Sequence, residues 1–428
     1  MKKERIAVIN GIRTPMGKAG GVLRSLQADE LGAITVKELL AKLPFEEKLI
    51  DELIIGNVAQ PGHAANIAKV IAIYAGLPKS VPAFTVHRNC ASGMQAVSSA
   101  AVQIRAGEGK IYIAGGVESM SNIPLLFNTN MTGLFEKLMK ARSLKEKLSA
   151  ILTFRLSFLA PVVGVVQGLT DPTCNLIMGL TAENIAKDFA ISRKEQDDFS
   201  AASHQKAEKA TKEGIFAQEM VAICGDKTKG TMISADEGIR DGQTSEKLSK
   251  MKPYFEKPHG TVTVGNSSQL TDGACMLALT SESYAKEMGL EVLGYIKDYA
   301  YSGCDNTRMG LGPVFATSKL FKQTGMSMKD IGLIELNEAF AAQVLGCMKA
   351  FESSDFCSKN LDSNALGSID TSILNVNGGA IALGHPVGMT GARIILHSLK
   401  EMKRRNVSTG LASLCIGGGQ GASFILEL

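Results

Sequence analysis

The sequence predicts an α/β fold made of two similar halves with a long excursion between them. Three observations carry this. The first 120 residues alternate strand and helix signals, which argues for a largely parallel or mixed sheet covered by helices. A strand–turn–helix–strand unit around residue 90 returns in the same order about 290 residues later. From Ser121 to about Ser268 the order is less regular and the composition more polar.

Each element follows from local pattern. Residues 6–9 read as the opening strand, and Leu31, Ile34 and Leu39 fall in a helical stretch over 28–43. Residues 53–55 and 84–86 read as buried strands. The second leads into a small-residue turn, His87-Arg88-Asn89-Cys90-Ala91-Ser92-Gly93. The helix after it puts Met94, Val97, Ala101 and Ile104 on one face, and Gly107 closes it. Residues 111–114 return as a strand ending in Gly115-Gly116.

The second unit matches step for step. Residues 373–376 read as a strand and 378–391 as a Gly-rich turn. A helix carries Ile395, Leu399 and Met402, and the strand 411–415 ends in Gly417-Gly418-Gly419. A further strand-like run, 333–336, precedes Asn337-Glu338-Ala339-Phe340. Within the excursion, 181–187 and 193–212 read as polar surface helices and 226–250 as an exposed loop. Segment 133–167 interleaves Lys137, Lys140, Arg142, Lys145, Lys147 and Arg155 with leucines and phenylalanines, a basic amphipathic hairpin. Two readings stand for it. One is a helix pair packed on the body with lysine stems along its edges; the other is a membrane-surface or partner-docking element.

Composition excludes several classes. Hydrophobic residues at 45% and charged residues at 21% exclude a disordered or collagen-like chain. A net charge of +4 on 428 residues gives no reason to expect nucleic acid as a partner. The eight cysteines show no paired framework and no metal-type spacing with histidine, so reduced thiols and no metal are expected. The chain enters its first strand within a few residues of Met1, leaving no room for a signal or transit peptide. A cytoplasmic location is therefore expected, and no apolar run approaches the roughly 20 residues of a membrane span.

Three side chains stand out chemically. Cys90 sits at a strand-to-helix junction, where unpaired N–H groups and a partial positive charge favour a thiolate; an inert buried cysteine is the bland alternative. His385 lies in the Gly-rich turn before Pro386 and can take a thiol proton or hold an oxyanion. Cys415 ends a strand before glycines whose N–H groups can converge on an anion. Asn337 lies at a strand's C-terminal end, where open α/β sheets place ligands, and can orient a water or simply cap a helix.

These residues resemble the thiolase family over nearly the whole chain. Residues 87–93 match its nucleophile motif, 337–340 a second motif, 378–391 its Gly-rich histidine block and 415–419 its C-terminal cysteine motif. The resemblance implies a duplicated five-layer α-β-α-β-α fold with an inserted loop domain. On this sequence that gives an N-terminal half over 1–120 plus 269–290, a loop domain over 121–268 and a C-terminal half over 291–428. It implies thiolytic cleavage of 3-ketoacyl-CoA, with CoA as co-substrate and no permanently bound cofactor. His385 would deprotonate Cys90, whose thiolate attacks the 3-keto carbonyl. His385 and a water on Asn337 would hold the oxyanion, and Cys415 would protonate the departing acetyl-CoA enolate. The N–H groups of Cys90 and Gly417 would hold the thioester oxygen. Ser268 is implied as a pantetheine contact, and Met178, Met309 and Phe340 as lining of the acyl and pantetheine pocket.

The hairpin and the segment 351–373 resemble insertions of the thiolase subunit of the fatty acid β-oxidation (trifunctional) complex. Asn337 departs from that group, which typically has histidine there. Degradative 3-ketoacyl-CoA thiolase is the leading expectation. Acetyl-CoA acetyltransferase is the alternative, and a non-catalytic acyl-binding relative a remote one. Implied partners are acyl-CoA and CoA, a second copy in a homodimer or homotetramer, a hydratase–dehydrogenase subunit, and peripheral membrane contact through 133–167.

Overall fold

The computed structural model describes residues 3–226 and 230–428. Strands β1 (Ile6–Arg13), β2 (Glu52–Gly56), β3 (Ala83–Val86), β4 (Ile111–Ser119) and β5 (Thr271–Ser281) belong to the first half. Strands β6 (Gly294–Gly303), β7 (Leu333–Leu336), β8 (Thr409–Ile416) and β9 (Gln420–Glu427) belong to the second. They run in the order β7-β8-β9-β6-β1-β5-β4-β2-β3.

The order is a duplication. From β1 outward, β5 and β4 pair antiparallel, then β2 and β3 parallel. From β6 outward, β9 and β8 pair antiparallel, then β7 parallel, with Leu374 bridged parallel to Ile334. The halves join where β1 meets β6 antiparallel, at Ile6↔Ile296, Ala7↔Tyr295 and Val8↔Gly294.

Side-chain alternation divides the core. On β5, Cys275, Leu277 and Leu279 face a middle core, while Ala274, Met276 and Ala278 face an outer one. Helices α1 (Ala28–Leu40) and α2 (Ile67–Tyr74) cover that outer face. The middle core holds the inner faces of both half-sheets around α3 (Ser92–Ala106), whose Met94, Val97, Ala101 and Ile104 all pack there.

The excursion lies outside the central sheet. Its longer helices are α4 (Thr129–Lys140), α5 (Leu144–Leu152), α6 (Met178–Asp188) and α7 (Arg193–Lys212). In the second half, α8 (Gly312–Thr324) and α9 (Ala341–Glu352) cover the far face together with Ala182, Ile185 and Ala186 of α6. Helix α10 (Thr390–Arg405) joins α3 in the middle core. Residues 390–399 are buried on every side because sheets flank the helix, although Arg393, His397 and Ser398 among them are polar. The layers are therefore α, β, α, β, α.

Three expectations change. Residues 373–376 form a single bridge at Leu374, not a strand. Asn375 turns left-handed (φ 42°), and its carboxamide replaces the ladder by accepting from Leu336 N (2.9 Å) and donating to Leu336 O (2.8 Å). Helix α6 is largely buried rather than a surface helix, and α7 is a surface helix on one face only, since each buries polar side chains. Glu183 accepts from the N–H groups of Thr261 and Val262, and Gln196, Asp197 and His204 are buried. Residues 226–250 are only partly exposed. Asp236 is drawn inside by Arg13 (2.8 and 2.9 Å), and 227–229 lie outside the described residues.

The hairpin forms as two capped helices. Asn128 accepts from Met131 N, and Ser143 makes a capping box with Glu146. Only Met131, Leu134 and Ala150 are buried in it, forming a small core of its own. Leu144, Leu152 and Leu156 stand 84%, 72% and 80% exposed. Among the described residues no helix is long and apolar enough to cross a membrane.

Candidate active site

Cys90 sits on an elbow between β3 and α3. Asn89 takes a left-handed conformation (φ 43°) that reverses the chain. Ser92 Oγ fixes the turn by accepting from Arg88 N (2.9 Å) and donating to Asn89 O (2.7 Å). Asn89 Nδ2 donates to Gly417 O (2.7 Å), tying the elbow to the turn between β8 and β9. Gly418 and Gly419 make that turn at φ 89° and 79°, where a side chain would be strained.

The opposite loop carries His385. Its N–H donates to Gln269 O (3.1 Å). Its Nδ1 lies 2.7 Å from Thr390 Oγ1, and that hydroxyl donates to Pro386 O (2.9 Å). The single hydroxyl proton is thereby committed, so Nδ1 carries the ring proton and Nε2 presents a lone pair. Nε2 is buried with no hydrogen-bond partner among the described residues. Burial pushes the imidazole down to about 3, with the Arg393 charge adding to it, so His385 is neutral. The loop rests on the first turn of α3: a Cβ on Gly93 would meet Ala392 N at 2.8 Å and Gly388 O at 3.0 Å.

Burial pushes the Cys90 thiol up from its ordinary value. The N–H groups of Gly417 and of Cys90 itself act against that without overcoming it. The expectation of a lowered pKa at this helix start is therefore corrected: desolvation outweighs the N–H groups, and the resting group is a thiol. Cys415, at the end of β8, is 1% exposed and its thiol is pushed well up by burial, with the charge of a Cys90 thiolate adding. Both side-chain polar atoms of Asn337 are buried without partners among the described residues, while its backbone N–H is held by Ser413 O (2.9 Å). It therefore has a free donor and a free acceptor to offer a water or ligand.

A cavity of about 650 Å³ opens over Cys90, within the usual range for a small-molecule site. Met178 and Gly417 line it, with an apolar wall that includes Val58, Ile123, Leu126 and Val165. Ser268, Met309 and Phe340 do not line it. Met309 and Phe340 are 3% and 8% exposed in the second half's outer core. Ser268 N–H donates to Ala339 O (2.9 Å), so 266–268 runs alongside the Asn337 loop. No group of side chains suited to a metal ion is found among the described residues.

Sequence reasoning assigned nothing to two buried carboxylates. Glu338 accepts from Ser203 Oγ (2.7 Å), Asn375 Nδ2 (2.9 Å) and Ile381 N (3.2 Å), fixing the start of the Gly-rich loop. Glu118 ends β4, where a charged residue after an apolar run was the available signal. Chemically, the site offers a nucleophilic thiol, a neutral base, a second proton-bearing thiol and N–H groups aimed at the reacting sulfur.

The chain matches the family descriptions "Thiolase, N-terminal domain" over residues 6–283 and "Thiolase, C-terminal domain" over 290–428. It is 40% identical over 428 residues to a 3-ketoacyl-CoA thiolase of Pseudoalteromonas translucida, covering 100% of this chain and 97% of the relative. A 3-ketoacyl-CoA thiolase of Yersinia enterocolitica is 39% identical over 427 residues, covering 99% and 97%. Among solved structures, the Bacillus anthracis acetyl-CoA acetyltransferase superposes with a TM-score of 0.87 at 36% identity, covering 100% and 99% of the two chains. Human mitochondrial 3-ketoacyl-CoA thiolase in complex with CoA superposes at 0.84 and 34%, covering 100% and 98%.

Proposed function

Because the chain belongs to the thiolase family, we propose that it cleaves 3-ketoacyl-CoA with CoA, giving acetyl-CoA and a shortened acyl-CoA. The observation that supports this best is the meeting of Cys90, just past β3 of the first half, with Cys415, at the end of β8 of the second, where a Cys90 charge acts on the Cys415 thiol. Carbon–carbon cleavage needs one group to accept the acyl and another to protonate the departing carbon. One cysteine cannot do both.

In this reading, His385 Nε2 takes the Cys90 proton and the thiolate attacks C3. The C2–C3 bond breaks, and Cys415 gives its proton to C2 of the enolate. CoA then passes its thiol proton to the Cys415 thiolate and attacks acyl-Cys90. Cys90 leaves and recovers its proton from His385. The acyl oxygen is the same atom in both tetrahedral intermediates, so one hole must serve both. The N–H groups of Cys90 and Gly417, already aimed at the sulfur, suit that role. His385 and Asn337 are then left for the thioester oxygen of the enolate, a reassignment from the sequence-based expectation.

The finer reading is degradative, on medium or long chains in fatty acid β-oxidation. It is supported by the largely apolar cavity and by the names of the bacterial relatives. The Bacillus anthracis relative favours the alternative, acetoacetyl-CoA synthesis. Thiolysis rate against 3-ketoacyl chain length, from four to sixteen carbons, separates them. A rate held at ten carbons and beyond supports the first, and a rate confined to four supports the second. Trapping of acyl-Cys90 disposes of a purely acyl-binding role.

We take 1–120 with 269–290 as one half, 291–428 as the other, and 121–268 as the loop domain over the site. The half-buried edge strand β3 suits pairing with a second copy. The exposed leucines of the hairpin suit a membrane surface or a hydratase–dehydrogenase subunit. A cytoplasmic enzyme, peripheral at the membrane, fits these features.

A further inference from the structure

Glu118 has no part in the chemistry above, yet it is fully buried beside it (0% exposed). Its Oε1 accepts from Asn57 Nδ2 (3.1 Å) and Ala59 N (3.0 Å). Its Oε2 accepts from Val58 N (3.1 Å) and Gly388 N (2.9 Å). All four partners are N–H donors, so the geometry suits an ionised carboxylate, which only accepts. A carboxylic acid would have to place its O–H against one of them. Burial pushes the group up to about 7, and the N–H donors act in the opposite sense.

Two walls of the site hang on this one group. Val58 and Ala59 line the cavity over Cys90. Gly388 stands three residues after His385 and closes the loop that carries it. The backbone is shaped for the contact: a Cβ on Gly388 would lie 2.9 Å from Glu118 Oε2 and 2.6 Å from Val117 O. Asn57 is itself braced, donating also to Val117 O (3.0 Å).

We propose that Glu118 is a positioning residue for thiolysis, joining the His385 loop at Gly388 to the Val58–Ala59 wall of the Cys90 cavity. The proposal rests on Cys90 and His385 serving the thiolase reaction. Without the carboxylate, two pairs of N–H groups lose their common acceptor and the loop drifts from the nucleophile. A displacement of about 1 Å at a catalytic group is enough to cost about a hundredfold in rate.

Glu118→Gln is the test, because its amide keeps the shape but turns an NH2 toward two N–H donors. Thiolysis kcat should fall about a hundredfold, with KM for CoA and for 3-ketoacyl-CoA within about threefold. Glu118→Asp keeps the charge and should recover part of the loss. Alkylation of Cys90 by iodoacetamide at neutral pH, which needs no substrate, should slow about tenfold because the base is misplaced. Faster alkylation would mean that Glu118 acts only by opposing ionisation of Cys90, and would overturn the proposal. So would a wild-type kcat. If Glu118→Gln does not fold, Asn57→Ala removes one of the four donors and should give a smaller loss of kcat at unchanged KM; no loss would overturn the proposal. A wild-type protein that is alkylated at Cys90 but cleaves no 3-ketoacyl-CoA fails the thiolase reading alone, and the alkylation comparison still decides on Glu118.

Discussion

A thiol raised by burial reacts only when a base takes its proton, so the protonation state of His385 decides whether Cys90 can work. With its pKa at about 3, the imidazole stays neutral throughout the working range. Nitrogen-15 NMR of His385 should show the Nδ1–H tautomer unchanged between pH 5 and pH 8; a titrating imidazole in that window would overturn the assignment. Cys415 has the opposite task of keeping its proton until an enolate needs it, and the upward push on its thiol serves that task. Cys415→Ala should lower 3-ketoacyl-CoA thiolysis by about 10² to 10⁴. Acylation of Cys90 by a plain acyl-CoA, read by protein mass, should remain within about tenfold of wild type. Cys90, Asn337 and Cys415 were legible because each sits at or just past the end of a strand, and His385 because it sits in a glycine-rich run. Glu118 was not, since a lone carboxylate at a strand end says nothing about which N–H groups will converge on it.

Elements were legible where periodicity was strong and lost where a side chain stood in for backbone. Helix α3 follows its predicted face residue for residue, and Gly107 caps it at φ 77°. The run 373–376 has strand composition, but the Asn375 carboxamide makes the bonds a ladder would have made. Helices α6 and α7 look solvated by composition; their buried polar groups are satisfied by partners far along the chain, which local pattern does not contain. The hairpin's amphipathic pattern was plain, and the structure leaves its apolar residues outside the main cores. If the hairpin meets membranes, Leu144→Glu with Leu152→Glu should abolish sedimentation with anionic vesicles while four-carbon thiolysis stays within about twofold. Equal sedimentation of variant and wild type would count against membrane contact.

At the scale of the whole molecule, the duplication was visible in the order of motifs, but how the halves are locked together was not. Part of the lock is the β1–β6 pairing. The shared middle core is another part, and a buried chain of charges crosses all three parts of the molecule. Arg13 at the end of β1 bonds Asp236 and Glu219 of the excursion (Glu219 at 2.7 Å), and Glu219 bonds His397 Nδ1 of α10 (2.9 Å). His397 Nε2 lies 3.1 Å from Asn377 Nδ2 in the Gly-rich loop, and a protonated ring donates there once the amide is turned to present its oxygen. Burial alone would raise the Glu219 carboxyl, but the charges of His397 and Arg13 overrule it and hold it at about 2. His397 is raised above its ordinary 6.5: burial acts to lower it, and Glu219 prevails. A raised histidine stabilises the fold fully below 6.5, and that contribution is lost as pH rises through the folded value. A depressed carboxylate stabilises above 4.5, and that contribution is lost as pH falls toward about 2. The two together favour mildly acidic pH. Glu219→Gln leaves Arg13 with Asp236 but strips His397 of its counter-charge, so the unfolding free energy at pH 6 should fall by about 3–5 kcal/mol. The loss should shrink as pH rises through the folded His397 value, because wild type loses the same interaction there. Urea unfolding at intervals from pH 5 to pH 9 reads both effects. A variant whose stability runs parallel to wild type over that range would mean that His397 is not held protonated by Glu219.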